Sequence, residues 1–339
     1  MGKKFRLALG VGGMAVITGL GACTTATAEQ PVAPAAGAGY VMPDGTIRVV
    51  GAASMQRVIE KLNAMFAEKH PGLHFRYAPA DNNGAIDALI FDATPFAPDG
   101  TVYSGGIAYS DIVKAPPFAV RIAHGSLDPQ AKISPLAVIV NASNPVQKLS
   151  VAQLASIFSK PARAPVFAKW SQLGVQGVGG NGVIEPGGLP WSDHYASEDR
   201  SFGDDVFYRS FGGAAPVDDY RMFETYAEVV DFVARERDAI GIVPINKISG
   251  GVKRVALVEG PLGIARTGTT DDIRSGHYPL DRYLYLYLRV QTNKPLDPLV
   301  REYVRMVLSP EGQAAITAEG EGYIPLDPME LAEEQSKFE

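Results

Sequence analysis

The sequence predicts an α/β protein of two domains, and three observations carry that expectation. Short apolar segments of strand character alternate with segments whose apolar residues recur every three to four positions. The 339 residues exceed what a single hydrophobic core ordinarily organises. A composition of 46% hydrophobic and 20% charged residues is that of a globular body. In chain order, residues 46–51 read as a strand, and 54–69 then place Val58, Leu62, Met65 and Phe66 at helical spacing, so the chain opens with a βα unit. Pro71-Gly72 ends that helix and 73–77 resumes as a strand. Residues 85–91 follow as a short helix, 107–109 and 136–141 as strands, and 151–158 as a helix. Residues 168–190 are rich in Gly and Pro and read as a surface excursion. Within them Gly177, Gly179 and Gly182 match G-x-G-x-x-G, but Pro186, Gly187 and Gly188 stand where a dinucleotide-binding helix must begin. Helical patterns return at 202–211 and 226–236, with a strand at 240–243. An aromatic strand at 283–290 puts Tyr283, Tyr285 and Tyr287 on one face as sheet packing, and 298–319 is helix-rich.

The N-terminus reads as an export signal. Lys3, Lys4 and Arg6 precede an apolar run at 7–20 that is too short to span a bilayer, so residues 1–22 are expected to be a signal peptide. Leu20-Gly21-Ala22-Cys23 has the form of a lipobox, with Ala26-Thr27-Ala28 as the alternative small-x-small cleavage site. Cys23 is the only cysteine of the chain, so no intrachain disulfide can form and lipidation of Cys23 is the use expected for it. Thr24 follows in place of the Asp that retains lipoproteins at the inner membrane. The expected address is therefore the cell envelope at the outer membrane, on its periplasmic or surface face, or release outside the cell. Residues 23–45, rich in Ala, Pro, Thr and Gly, read as a flexible tether between lipid and body. The formal charge of −6 becomes more negative once three basic residues leave with the leader. Nucleic acid and anionic lipid surfaces are thereby excluded as partners, and the membrane is met only through the lipid anchor. A small anion is not excluded, because helix N-terminal amides bind one locally whatever the net charge.

The C-terminal third carries a resemblance. Gly276 through Tyr287, containing Tyr278-Pro279-Leu280-Asp281-Arg282, is similar to the "YPLsRpLyiY" segment of PstS-like phosphate-binding proteins. Leu308-Ser309-Pro310-Glu311-Gly312-Gln313 resembles the same family's "LSxEGQ", and Gly322-Tyr323-Ile324-Pro325-Leu326 its "GYvPL". Upstream, residues 135–158 with Asn144-Pro145 and residues 239–244 match two further segments in the family's order. The likeness spans about residues 46 to 326. It implies a type II periplasmic-binding-protein fold, two α/β domains joined by two crossover segments with a ligand cleft between them. The expected division is residues 46–135 plus 255–326 for domain one, 136–254 for domain two and 327–339 for a C-terminal tail. The crossovers are expected at 136–141 and 240–258.

Such proteins, the resemblance implies, hold phosphate or a similar oxyanion without metal or cofactor, through helix N-terminal amides, hydroxyls, a carboxylate that accepts the anion's proton, and an Arg. Ala53, Ser54 and Met55 open the first helix and supply the amides, with Ser54 either a ligand hydroxyl or an ordinary N-cap. Asn82 and Asn83 stand where the family has "SG". Asp99 is the candidate proton acceptor, or else a turn Asp before Gly100. Ser201 and Gly203 fall in the segment that matches "SGT", but Ser197 occupies the position of the family's Arg. Arg200 is then the candidate guanidinium, or else a surface Arg paired with Asp199 or Asp204. That departure leaves open a site weakened, redirected to another oxyanion, or lost in favour of an interaction role with envelope or secreted proteins. The expected protein partner is otherwise an ABC importer permease or another envelope protein. No enzyme site is expected, since no nucleophile, base and orienter come together. No metal site is expected either, because Pro71-Gly72 separates the one close histidine pair, His70 and His74.

Overall fold

The computed structural model describes residues 32–338, except 104–105, 116, 176–181, 193–195, 260–262 and 292–293, and gives only the backbone of 82–83 and 106–108. The leader, Cys23, the first residues of the tether and the glycine motif at 177–181 therefore lie outside the described residues. No helix among those described is long and apolar enough to cross a membrane.

The first lobe is built on two small sheets. Ile47–Ala52 pairs in parallel with Phe75–Ala80, and Tyr283–Leu288 lies between Phe96–Asp99 and Phe118–His124, antiparallel to both. The helix Gln56–Lys69 buries Val58, Ile59, Leu62 and Phe66, the stripe its sequence spacing predicts, and each such side chain contributes about 1.5 to 3 kcal/mol by leaving water. Helices Pro298–Val307 and Pro310–Thr317 pack on the same core. The second lobe has one mixed sheet in the order Val252–Arg254, Leu136–Asn141, Ala239–Pro244, Glu185–Gly188, Arg221–Met222. Leu136–Asn141 and Ala239–Pro244 are buried along their whole length, as continuous apolar strands covered on both faces must be.

Several expectations need correction. Residues 107–109 belong to the helix Gly106–Val113, in which Tyr109 and Val113 are buried four positions apart. The Gly- and Pro-rich stretch is not a surface excursion: Trp170, Ile184 and Leu189 are core residues, and Glu185–Gly188 is an inner strand. Its glycines answer to packing, since a Cβ on Gly187 would stand 2.9 Å from the Phe232 ring and 3.0 Å from that of Phe223. Residues 136–141 and 240–244 lie inside the second sheet and are not crossovers. Val255, Leu257, Ile273, Tyr278 and Leu280 also pack in the second core, so the chain returns to the first lobe only at residues 281–283. The two true crossovers, 125–135 and 278–282, run side by side. Gly125 N–H donates to Arg282 O at 2.6 Å and Leu136 N–H to Leu280 O at 2.9 Å. Gly125 has no room for a side chain, because its Cβ would come within 2.9 Å of Pro135 Cδ. Order also begins earlier than the expected tether allows, with Tyr40 buried and its hydroxyl on Asp297. At the other end, the expected tail contains the helix Pro328–Ser336, capped by Asp327 and burying Glu330 and Glu334.

Candidate anion-binding cleft

A cleft of about 720 Å³ opens beside the crossovers, with residues of both lobes on its walls. On the first lobe, Ala53 and Ser54 form one tight turn between Ile47–Ala52 and the helix Gln56–Lys69. Neither Ala52 nor Met55, which cap this turn and helix, makes a side-chain cap bond, so Ser54 is not an N-cap. The amides of the first turn have no acceptor within the helix, and its dipole favours negative charge there. Beside them Asp99, 1% exposed, ends the strand Phe96–Asp99. Its Oδ1 accepts the Thr101 N–H and hydroxyl, each at 3.2 Å. Burial outweighs these bonds and pushes the Asp99 carboxyl up to about 7, with Asp205 adding to the rise.

The second wall carries Asp199, Arg200 and Ser201, and Arg282 lines the cleft from the second crossover. Arg282 is 4% exposed. Its Nη1 lies 2.9 Å from Asp199 Oδ2, and its Nε lies 2.7 Å from Asp205 Oδ2 in an ion contact not aligned as a hydrogen bond. Nη2 is buried without a hydrogen-bond partner among the described residues. Burial alone would raise the Asp199 carboxyl, yet Arg282, with the hydroxyls of Ser201 and Tyr226, holds it below the usual range.

The structure thus brings Ala53, Ser54, Asp99, Arg200 and Ser201 to one cleft. Met55 contributes at most its amide, because its side chain is in the core of the first lobe. Asn82 and Asn83 begin the helix Asn82–Ile90, and their side chains lie outside the description; Ala80 and Asp81 line the cleft instead. Gly203 is a packing glycine pressed on the Trp191 carbonyl, not a cleft residue. Arg200 is exposed on the wall, without a salt bridge to Asp199, and the buried guanidinium is that of Arg282. The Ser201 hydroxyl already donates to Asp199. Sequence reasoning missed Arg282 and Asp199 as partners. The signal was an Arg immediately before a strand of alternating apolar residues, where a charge has no ordinary packing role.

These features place a buried cation, hydroxyls and the turn opening a helix on one cleft between two α/β lobes. Residues 28–311 match the model of the PBP superfamily domain, and the chain belongs to that family. Its fold is that of type II periplasmic binding proteins, and it is a binding protein rather than an enzyme. The chain is 25% identical, over 327 residues and 95% of each partner's length, to the phosphate-binding protein PstS of two strains of Pseudomonas aeruginosa. Among solved structures it resembles PstS of Borrelia burgdorferi, with a TM-score of 0.57 and 14% identity over 83% of this chain and 99% of that one. An ABC-type phosphate transport receptor of Vibrio cholerae is similar at a TM-score of 0.54 and 17% identity, over 83% and 99%. Among the described residues no group of three or more His, Cys, Asp or Glu side chains is arranged to hold a metal ion.

Proposed function

We propose that the chain is an extracytoplasmic receptor that binds phosphate, or a related protonated oxyanion, in the cleft. The observation that carries this reading is the buried Arg282 with an unpartnered Nη2, on a cleft that is also lined by the turn opening the helix Gln56–Lys69. The charges around it define the kind of anion. Asp199 and Asp205 together outweigh the single charge of Arg282, and Asp99 is close to half ionised near neutral pH. A bare dianion would be repelled by that floor. An oxyanion carrying a proton can donate it to ionised Asp99 and accept from Arg282, Ser54 and the helix amides, whereas sulfate brings no proton and would face the ionised Asp99 lone pair to lone pair. The relatives named PstS support phosphate among such anions. The role that follows is capture for an ABC importer, with the protein exported by its leader, lipid-anchored through Cys23 and held at the outer membrane.

Calorimetry at pH 9, where Asp99 is almost fully ionised, tests this reading: phosphate should release or absorb heat with a one-to-one isotherm, and sulfate should bind at least 100-fold more weakly. Equal affinities would overturn the role of Asp99. No binding of either anion would overturn the receptor reading and favour an interaction lipoprotein built on the same scaffold.

A further inference from the structure

Behind Arg282 lies a buried charged cluster that does not reach the cleft. His124 is fully buried at the end of the strand Phe118–His124, where the first crossover begins. Its Nδ1 is hydrogen-bonded to Asp281 Oδ2 at 2.7 Å, and its Nε2 is 2.9 Å from Glu330 Oε2 in an ion contact not aligned as a hydrogen bond. Asp281 directs its other oxygen to the Arg282 N–H, at 2.8 Å, and its carbonyl accepts Arg209 Nη2 at 2.7 Å. Glu330 comes from the C-terminal helix Pro328–Ser336 and also accepts the Tyr283 hydroxyl at 2.7 Å. It presses on Gly276 of the second lobe, whose Cβ would lie 2.7 Å from Glu330 Oε1. A continuous polar chain therefore runs from the C-terminal helix, through the imidazole, to the backbone of the residue that faces the anion.

Burying two carboxylates around one histidine is a costly way to hold two strands together, and apolar packing would do it more cheaply. What the arrangement adds is geometry, because the hydrogen bonds from His124 and the Arg282 N–H to Asp281, and from Tyr283 to Glu330, fix orientation, while the ion contact of Glu330 with the imidazole fixes distance. The geometry points to His124, Asp281 and Glu330 as positioning residues: they fix the second crossover so that Arg282 presents its guanidinium to the bound oxyanion, with the C-terminal helix as the brace. This rests on the reading of the cleft proposed above. Burial raises the Asp281 carboxyl against the pull of His124, while His124 holds the Glu330 carboxyl below the usual range. Burial by itself would depress the His124 imidazole, but Asp281 and Glu330 push it up to about 9. Tyr283 packs on the ring at 4.7 Å. Arg121, held by Glu330, Glu333 and Glu334, flanks Glu330, with Lys337 on Glu334. Arg209 and Asp205 close the Arg282 side.

A double-mutant cycle on the full chain separates positioning from general support. Phosphate affinity is measured by calorimetry for wild type, His124→Gln, Glu330→Gln, Arg282→Lys and the two combinations with Arg282→Lys, each shown folded by circular dichroism. His124→Gln and Glu330→Gln should each weaken binding roughly tenfold, as members of one shared network do. In the Arg282→Lys background either change should cost less than twofold more, because the group being positioned is already altered. Multiplying losses would overturn the inference, as would unchanged affinity in both His124→Gln and Glu330→Gln; Glu330→Gln serves alone if His124→Gln does not fold. Should Arg282→Lys keep wild-type affinity, the assignment of Arg282 in the cleft is what fails, and the positioning role falls with it.

Discussion

Replacing Arg282 by Met is expected to destabilise the protein by about 3 to 5 kcal/mol and to abolish measurable phosphate binding. The first effect follows because buried Asp205 and half-buried Asp199 would remain with their shared cation gone, and an uncompensated buried charge costs that much. The second follows because a desolvated guanidinium contact with a bound anion contributes on the order of 2 to 5 kcal/mol. Adding Asp199→Asn and Asp205→Asn to Arg282→Met should restore much of the stability in urea titrations but none of the binding. Arg200→Ala, on an exposed side chain, should change stability by less than about 1 kcal/mol. A stable Arg282→Met variant would mean that the two carboxylates are held by other means.

Stability is expected to fall steadily as pH rises from about 4 to about 9.5, an unusual direction over the lower half of that range. Asp99 titrates at about 7 in the folded chain, against an ordinary 3.8 unfolded. Between those values the folded state holds a proton that the unfolded state lacks, so rising pH removes about 4 kcal/mol. His124 at about 9, against 6.5, contributes stability that is complete below 6.5 and lost as pH rises through 9, about 3 kcal/mol more. Glu330 shifts the other way: burial would raise its carboxyl, but His124 holds it below the usual range, so its contribution is lost only in acid. Denaturation midpoints recorded across pH should therefore decline in two steps. Asp99→Asn should flatten the first step and His124→Gln the second. A midpoint that climbs between pH 5 and 7 would contradict the buried, largely unpaired state of Asp99.

The opening βα unit was legible because local signals and tertiary packing agree there: strand pattern, a turn of small residues, then Val58, Leu62 and Phe66 on one helical face. Glu185–Gly188 was not, since Glu-Pro-Gly-Gly has no strand propensity and is placed by the Phe223 and Phe232 rings that need the space above it. The crossovers were misplaced for a related reason, as a buried apolar strand looks the same whether it joins two lobes or sits inside one. Within the site, Ser54 and Asp99 could be read from their places at the ends of local elements. Arg282 showed only as a charge placed before an apolar strand, because what makes it a ligand candidate is its pairing with Asp199 and Asp205, about 80 residues away in the chain. The C-terminal helix looked like a tail for the same reason: Glu330 and Glu334 acquire meaning only against Arg121 and His124.

The most direct test is a crystal structure of the protein grown with saturating phosphate. One tetrahedral anion should lie between the two walls of the cleft, with oxygens about 3 Å from Asp99, from Ser54 or its neighbouring amides, and from Arg282 Nη2. An anion seated elsewhere, or an empty cleft at a phosphate concentration that saturates the calorimetric isotherm, would contradict the account.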